Sequence, residues 1–318
     1  MTKKLMAFYL GIILCFSILI LFVCCLVFSN SFLNASAGEI QEDFPILKGP
    51  YLGQKPPGET PELFAPGIVS TCVQHSSACF SLDGKEMVFS RMFPRPSVIL
   101  YMQEEKGRWT SPQVVAEGLT PFLTADGQRI FFSTWSLWVM DKIHQGWSKP
   151  RKLSSVVNFQ KRQDGPSVSA DGTLYFCSMW GDQDGIYRAK WDNGYFIERE
   201  KLEYGISSDH NDGYPYIAHD ESFLLFGSFR PGSIGMSDLY VSFQRADGTW
   251  TQPKNLGRKI NSEAKDVHPF VSADGKYLFF MSSRISRLNS YRIPDGPGNV
   301  YWVKADFLER IRKKELRR

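Results

Sequence analysis

Apolar residues in this chain fall in short runs broken by turn residues, and five of the runs share one pattern. MVFS, RIFFS, LYFC, FLLFG and YLFFM are apolar at consecutive rather than alternating positions. That is the signature of a strand covered on both faces by neighbours. Each follows a polar turn: SLDG from Ser81, TADG from Thr124, SADG from Ser169, AHDE from Ala218 and SADG from Ser272. The turn aspartates Asp83, Asp126, Asp171, Asp220 and Asp274 stand 43, 45, 49 and 54 residues apart. A period of this length with strand-like content predicts the blades of an all-β propeller, one domain closed on itself.

The fourth repeat shows the grammar best. Asp212 to Ala218 reads as an inner strand, Asp220-Glu221 as a turn, Ser222 to Gly227 as a second strand, Asp238 to Gln244 as a third, and Trp250 onward as a fourth. A second mark runs in step: Trp109, Trp147, Phe196 and Trp250 follow Gly-containing hairpins and precede Val115, Leu153, Leu202 and Leu256 by six residues. This regularity points to packing between blades rather than to ligand stacking. The fifth repeat ends after its third strand, Asn299 to Lys304. The missing strand lies upstream, because Thr60 to Ser70 matches Gln252 to Ser262. The segment from Glu62 to Ser70 is therefore expected to pair with Val300 to Val303 and close a ring of five blades, removing its open edges.

The stretches HPFVSADGKYLFFMSSR and SDLYVSFQRADGTWTQPKNLG resemble WD40-like Tol-B type beta-propeller repeats, and the likeness covers roughly Pro61 to Lys304. The resemblance implies a secreted or periplasmic propeller that binds or scaffolds, with no catalytic motif to carry over. Tol-B type propellers commonly have six blades, so six is the alternative to the five turns counted, and Asp220-Glu221 departs from the Asp-Gly form.

The termini add an address. Lys3 and Lys4 precede an uncharged run from Leu5 to Phe28, then Ala35-Ser36-Ala37, the pattern of an export signal cleaved after Ala37. The run is long enough to span a hydrocarbon layer of about 30 Å as a helix, so an uncleaved anchor stays open as the alternative. Either way the propeller lies outside. A lipoprotein reading through Cys24 or Cys25 is weaker, because Val23 and Cys24 are poor small residues. The chain then reads as signal or anchor over 1–37, a Pro/Gly-rich linker over 38–60, the propeller over 61–305 and a basic tail over 306–318. After cleavage Cys72, Cys79 and Cys177 remain: Cys72 and Cys79 flank a short loop and form the candidate disulfide, while Cys177 belongs to the core strand TLYFCS. Lys plus Arg exceed Asp plus Glu by only 37 to 33, which argues against a nucleic-acid partner. Membrane contact is expected only through the N-terminal segment.

Candidate chemistry gathers on one face, where the loops into the first strands and those joining second to third strands emerge together. The latter begin with Arg91, Trp135, Trp180, Arg230 and Arg284. The incoming loops supply His75, Asp164, His210, Asp212, Asp266 and His268. Guanidinium forks grip carboxylates and indoles stack on rings, so this face suits a protein, peptide or glycan ligand. The unequal arcs suggest an elongated, partly anionic ligand with its acidic end over Arg230 and Arg284, flanked by Arg287, Tyr291 and Arg292. The structural alternative is blade-to-blade pairing of the arginines with the aspartates. A competing function is a carbohydrate-active enzyme using Asp164, Asp212 and Asp266 as acid and base. No cofactor and no metal site are expected: Gly181 to Gly185 lacks the continuing ligands of a calcium loop, and His210 between Asp209 and Asp212 is a single imidazole.

Overall fold

The computed structural model describes residues 44–317 apart from 72, 93 and 285–297. The expected leader or anchor, Cys72 with its proposed bridge to Cys79, and Arg287, Tyr291 and Arg292 lie outside the described residues. From Leu47 onward the chain forms one compact unit. It is a five-bladed propeller. Blade one holds His75–Phe80, Glu86–Arg91, Val98–Glu105 and Arg108–Trp109, with Gln113–Glu117 also paired to its third strand. Blade two holds Leu119–Leu123, Arg129–Ser133 and Leu137–Ile143, flanked by the stubs Gly146–Trp147 and Arg151–Lys152. Blade three is Arg162–Val168, Leu174–Met179, Gly185–Asp192 and Tyr195–Lys201, and blade four is Asp212–Ile217, Phe223–Ser228, Asp238–Phe243 and Lys254–Asn255. Blade five takes Asp266–Val271, Tyr277–Ser282 and Asn299–Lys304 from the C-terminal end and Glu62–Leu63 from the N-terminal end. The innermost strand of each blade touches that of the next, and the fifth touches the first.

Ring closure follows the expected register. Glu62 stands opposite Trp302 and Leu63 opposite Tyr301, and the Phe64 N–H donates to Val300 O at 2.9 Å. The ladder is shorter than Glu62 to Ser70, because Ala65 turns at φ 43°. Ser70 returns through its side chain, which exchanges hydrogen bonds with the Val300 backbone at 2.9 and 3.1 Å. The Pro/Gly-rich stretch read as a linker is docked from Leu47. Leu47 O and Gly49 O accept the backbone and indole N–H of Trp109, and Tyr51 sits among Phe80, Tyr277, Phe279 and Trp302. The basic tail forms helix α1, Phe307–Glu315, with Leu308 buried.

Each second strand buries both faces, as its unbroken apolar run requires. The turns before them repeat one device. The aspartate Oδ1 accepts the N–H two residues later and, in every blade but the fourth, where Ala218 has no hydroxyl, also the hydroxyl of the Ser or Thr two residues earlier, as at Ser81, Asp83 and Lys85. The following Gly84, Gly127, Gly172 and Gly275 take φ between 68° and 89°. Glu221 holds the same left-handed conformation at φ 57° without being glycine. Its side chain accepts the Tyr175 hydroxyl at 3.1 Å, a contact that helps offset the backbone cost. The outer aromatics are packed as expected: Trp109, Phe196 and Trp250 are buried, and Trp147 meets Tyr101 of the preceding blade edge-on at 5.5 Å.

Every innermost strand carries a bulge near its middle, where the register slips by one residue. In blades two to five the slip falls before a proline, at Thr120, Gly165, Tyr214 and His268, all at positive φ. A residue without an N–H is tolerated where the ladder is already broken. Gly165 has a second reason: a Cβ there would stand 2.7 Å from the Tyr214 Cα.

Candidate functional site

Blades four and five use their arginines in the same way. The Arg230 Nε donates to Ser228 Oγ at 2.7 Å, and Nη2 donates to Asp212 Oδ1 at 2.7 Å and to Ile206 O at 3.1 Å. Arg284 repeats this with Ser282, Asp266 and Ile260. The other carboxylate oxygen of each aspartate accepts the N–H and hydroxyl of Ser208 or Ser262. Each guanidinium also lies about 5 Å from two rings, Phe226 and Tyr240 or Phe280 and Tyr301. These pairs join strands of one blade and pin its incoming loop. They differ from the expected blade-to-blade bridges, and they leave both guanidiniums turned inward and largely buried.

Blade three breaks the pattern. Gln163, not Asp164, stands opposite Ser178, the counterpart of Ser228 and Ser282, so Asp164 is one residue further along and faces the other way. It reaches into blade two, where Thr120 Oγ1 and Ser133 Oγ donate to its Oδ1 at 2.6 and 2.7 Å. Arg162 grips Oδ2 through Nε and Nη2 at 3.1 and 2.5 Å. The three aspartates are thus not equivalent, and each is fully buried and saturated with donors. Burial alone would push the Asp164 carboxyl up, but Arg162 and the Thr120 hydroxyl hold it below the usual carboxylate range. The slot that a guanidinium fills in blades four and five is taken by Phe159, 5.0 Å from the Tyr187 ring. The side chain of Gln163 and the Ser178 hydroxyl are buried there without partners among the described residues.

Where blades four and five turn an arginine inward, blades two and three turn a tryptophan outward. Trp135 and Trp180 are 57% and 52% exposed, with ring centroids 5.1 Å apart and planes at 65°. The Arg162 guanidinium lies 4.4 Å from the Trp180 ring and 5.7 Å from that of Trp135. Both tryptophans hold positive φ, 75° and 62°, uncommon for bulky residues and found where surroundings enforce them. The surroundings are identifiable. The Asp184 carboxylate accepts the Trp180 and Gly181 N–H groups, and Trp135 O accepts the Gln163 N–H. Gly181 to Gly185 is therefore a carboxylate-clamped turn, and no metal-ligand cluster occurs among the described residues.

On the axis beside this pair, Thr120, Gly165, Tyr214 and His268 help line a cavity of about 30 Å³. That admits about one water molecule and no sugar ring. The Tyr214 and His268 rings are 3.8 Å apart. Burial drives the His268 imidazole down to about 3 despite the nearby Asp164. His75 accepts or donates with Thr71 Oγ1 at 2.8 Å, and burial, with Arg91 adding to it, lowers it to about 4. His75 and Arg91 face each other in blade one, and His210 stands exposed on its loop. The Cys79 thiol is buried against Leu123 of blade two, and Cys177 is a core thiol raised to about 12 by burial.

The predicted site residues thus separate. Trp135 and Trp180 come together, Arg230, Arg284, Asp212 and Asp266 are consumed in struts, and His75 and His268 are buried and neutral. Arg162 and Tyr214 escaped the sequence reading. Aligning on the proline would have exposed the shift: Asp212-x-x-Pro215 and Asp266-x-x-Pro269 correspond to Gln163-x-x-Pro166.

No family model and no curated protein matches the chain. Solved structures are similar to it at low identity. A putative TolB from Agrobacterium tumefaciens is 15% identical, with 73% of this chain and 90% of that chain covered and a TM-score of 0.48. TolB from Acinetobacter baumannii is also 15% identical over 73% of this chain and 57% of its own, with a TM-score of 0.46. The α-L-arabinofuranosidase PaAbf62A from Podospora anserina is 8% identical over 78% of this chain and 98% of its own, with a TM-score of 0.51. At 8% identity the likeness to PaAbf62A is one of fold alone.

Proposed function

We propose that this chain is an exported, non-catalytic propeller of the cell envelope that binds a ligand at the Trp135–Arg162–Trp180 cluster on its loop face. The observation that carries the proposal is two half-exposed indoles fixed at uncommon backbone angles around a guanidinium already neutralised by Asp164. Large rigid aromatics left in water are typical of binding hot spots. The non-catalytic reading is supported by the carboxylates. A glycosidase needs one acid with raised affinity for its proton and one accessible base, whereas Asp164, Asp212 and Asp266 are buried with every oxygen engaged. Export rests on the N-terminal sequence pattern. Among the described residues no helix is long and apolar enough to cross a membrane.

The test is a photo-crosslinking amino acid placed in producing cells at Lys161, an exposed position beside the cluster, with Lys254 on the outer edge as control. Adducts are expected from position 161, lost when both tryptophans become alanine. Equal adducts from both positions, or none from 161, would count against a loop-face site.

A further inference from the structure

The chemistry of the cluster narrows its ligand, on the premise that the loop face binds one at all. We infer that Trp135, Trp180 and Arg162 form a stacking site for a neutral carbohydrate chain. Three observations lead there. The two indoles present separate faces at 65° rather than one continuous apolar surface, and each is about the size of one pyranose ring. Their neighbours are polar: Thr134, Lys161, Asp182 and Gln183 are exposed around them. A protein-binding core needs a wider desolvated patch bounded by a rim; here the rim begins at the edge of each indole.

The second observation is electrostatic. Arg162 spends Nε and Nη2 on Asp164, so its charge is balanced inside the fold, while Nη1 makes no hydrogen bond among the described residues. Between the indoles this leaves donors without net charge, which suits hydroxyl and ring oxygens better than a carboxylate or phosphate. Blades four and five show the contrast, because Arg230 and Arg284 are turned away and add no cationic arc to the face. The earlier expectation of an anionic end over those arginines therefore gives way to a neutral ligand centred on blades two and three.

The third observation is where the ligand cannot go. The axial cavity is too small for a ring, so the chain lies across the surface on the two indoles. Stacking on a preformed aromatic needs little rearrangement, and the clamps from Asp184 to Trp180 and from Trp135 to blade three supply that preorganisation.

The experiment is calorimetric titration of the propeller with cello-, xylo- and chito-oligosaccharides, with polygalacturonate and an acidic peptide as charged probes. Trp135→Ala, Trp180→Ala and the double variant are run alongside, their folding checked by thermal melts; both side chains are exposed, so the melts should match the parent. At least one neutral series should bind, each single variant should weaken it about tenfold, and raising salt to about 0.5 M should change little. Silence across the neutral series, or neutral-sugar binding that survives in the double variant, overturns the inference. Tryptophan-dependent binding of polygalacturonate or the peptide alone overturns the neutral-sugar assignment but keeps the loop-face reading. A cluster that binds no probe and gives no crosslink at position 161 removes both.

Discussion

At the scale of single residues, the same sequence position does opposite work in different blades. Arg230 and Arg284 are structural, because each neutralises a buried aspartate whose remaining lone pairs are also taken. Arg230→Ala would strand Asp212 as an unpaired buried charge and should cost about 3–5 kcal/mol, measured by urea unfolding. Trp180→Ala, which removes only a half-exposed ring, should cost less than about 1 kcal/mol in the same assay. A cost for Arg230→Ala no larger than that for Trp180→Ala would contradict the assignment of struts. The buried imidazoles add a pH signature. His75 and His268 have folded values of about 4 and 3, below the unfolded value of about 6.5. Over that interval the unfolded chain binds more protons, so stability is full above about pH 6.5 and is lost as pH falls through about 4 for His75 and about 3 for His268. The melting temperature should drop across this range before the turn aspartates protonate. His268→Gln should flatten part of the decline; an unchanged pH profile in that variant would show that His268 is not held neutral by the fold.

The sequence made the residue types on the loop face legible but not their directions. Arginine and tryptophan occupy matching loops at similar distances from the turn aspartate, and nothing in that spacing says that one folds inward onto Asp212 and the other points out. The direction depends on whether an aspartate stands opposite the serine of the second strand. In blade three the acid is displaced by one residue, and a one-residue shift in a strand reverses the face.

At the scale of elements, the second strands and their turns were readable because each carries a local pattern: an apolar run, an aspartate that caps its own turn, and a glycine where φ is positive. The N-terminal closure was readable as a homology within the chain, with Phe64 standing where Leu256 stands. The strap from Leu47 to Gly58 was not. Its docking depends on Tyr51 finding four rings from blades one and five and on left-handed angles at Tyr51 and Leu52 that residue preferences disfavour. The outer strands were only partly legible, since in blades two, four and five they are two-residue stubs. Phe64→Ala should destabilise the domain by about 3–5 kcal/mol, since the ring is fully buried against Phe80, Phe279 and Trp302. Hydrogen exchange should report the loss first in Asn299–Lys304. Exchange in that strand unaltered by the variant would mean that the closing strand does not secure the last blade.

At the scale of the whole molecule, five blades of four or five strands enclose an axis filled by Phe80, Phe122, Tyr216 and Phe270 toward the turn face, leaving about 40 Å³ there. A ring this closely filled has no room on its axis for a ligand, and the loop-face mouth offers stacking and charge-balanced donors in place of acid and base. The central claim is that the face binds without reacting. It is tested most directly by incubating the protein with each oligosaccharide that it binds in titration and resolving the products by chromatography, beside Trp135→Ala/Trp180→Ala and Asp164→Asn variants. The account predicts retention of intact oligosaccharide, dependent on the tryptophans, with no shortened product. Cleavage by the parent protein that disappears in Asp164→Asn while binding persists would contradict it, and would make the buried Asp164 carboxylate a catalytic group after all.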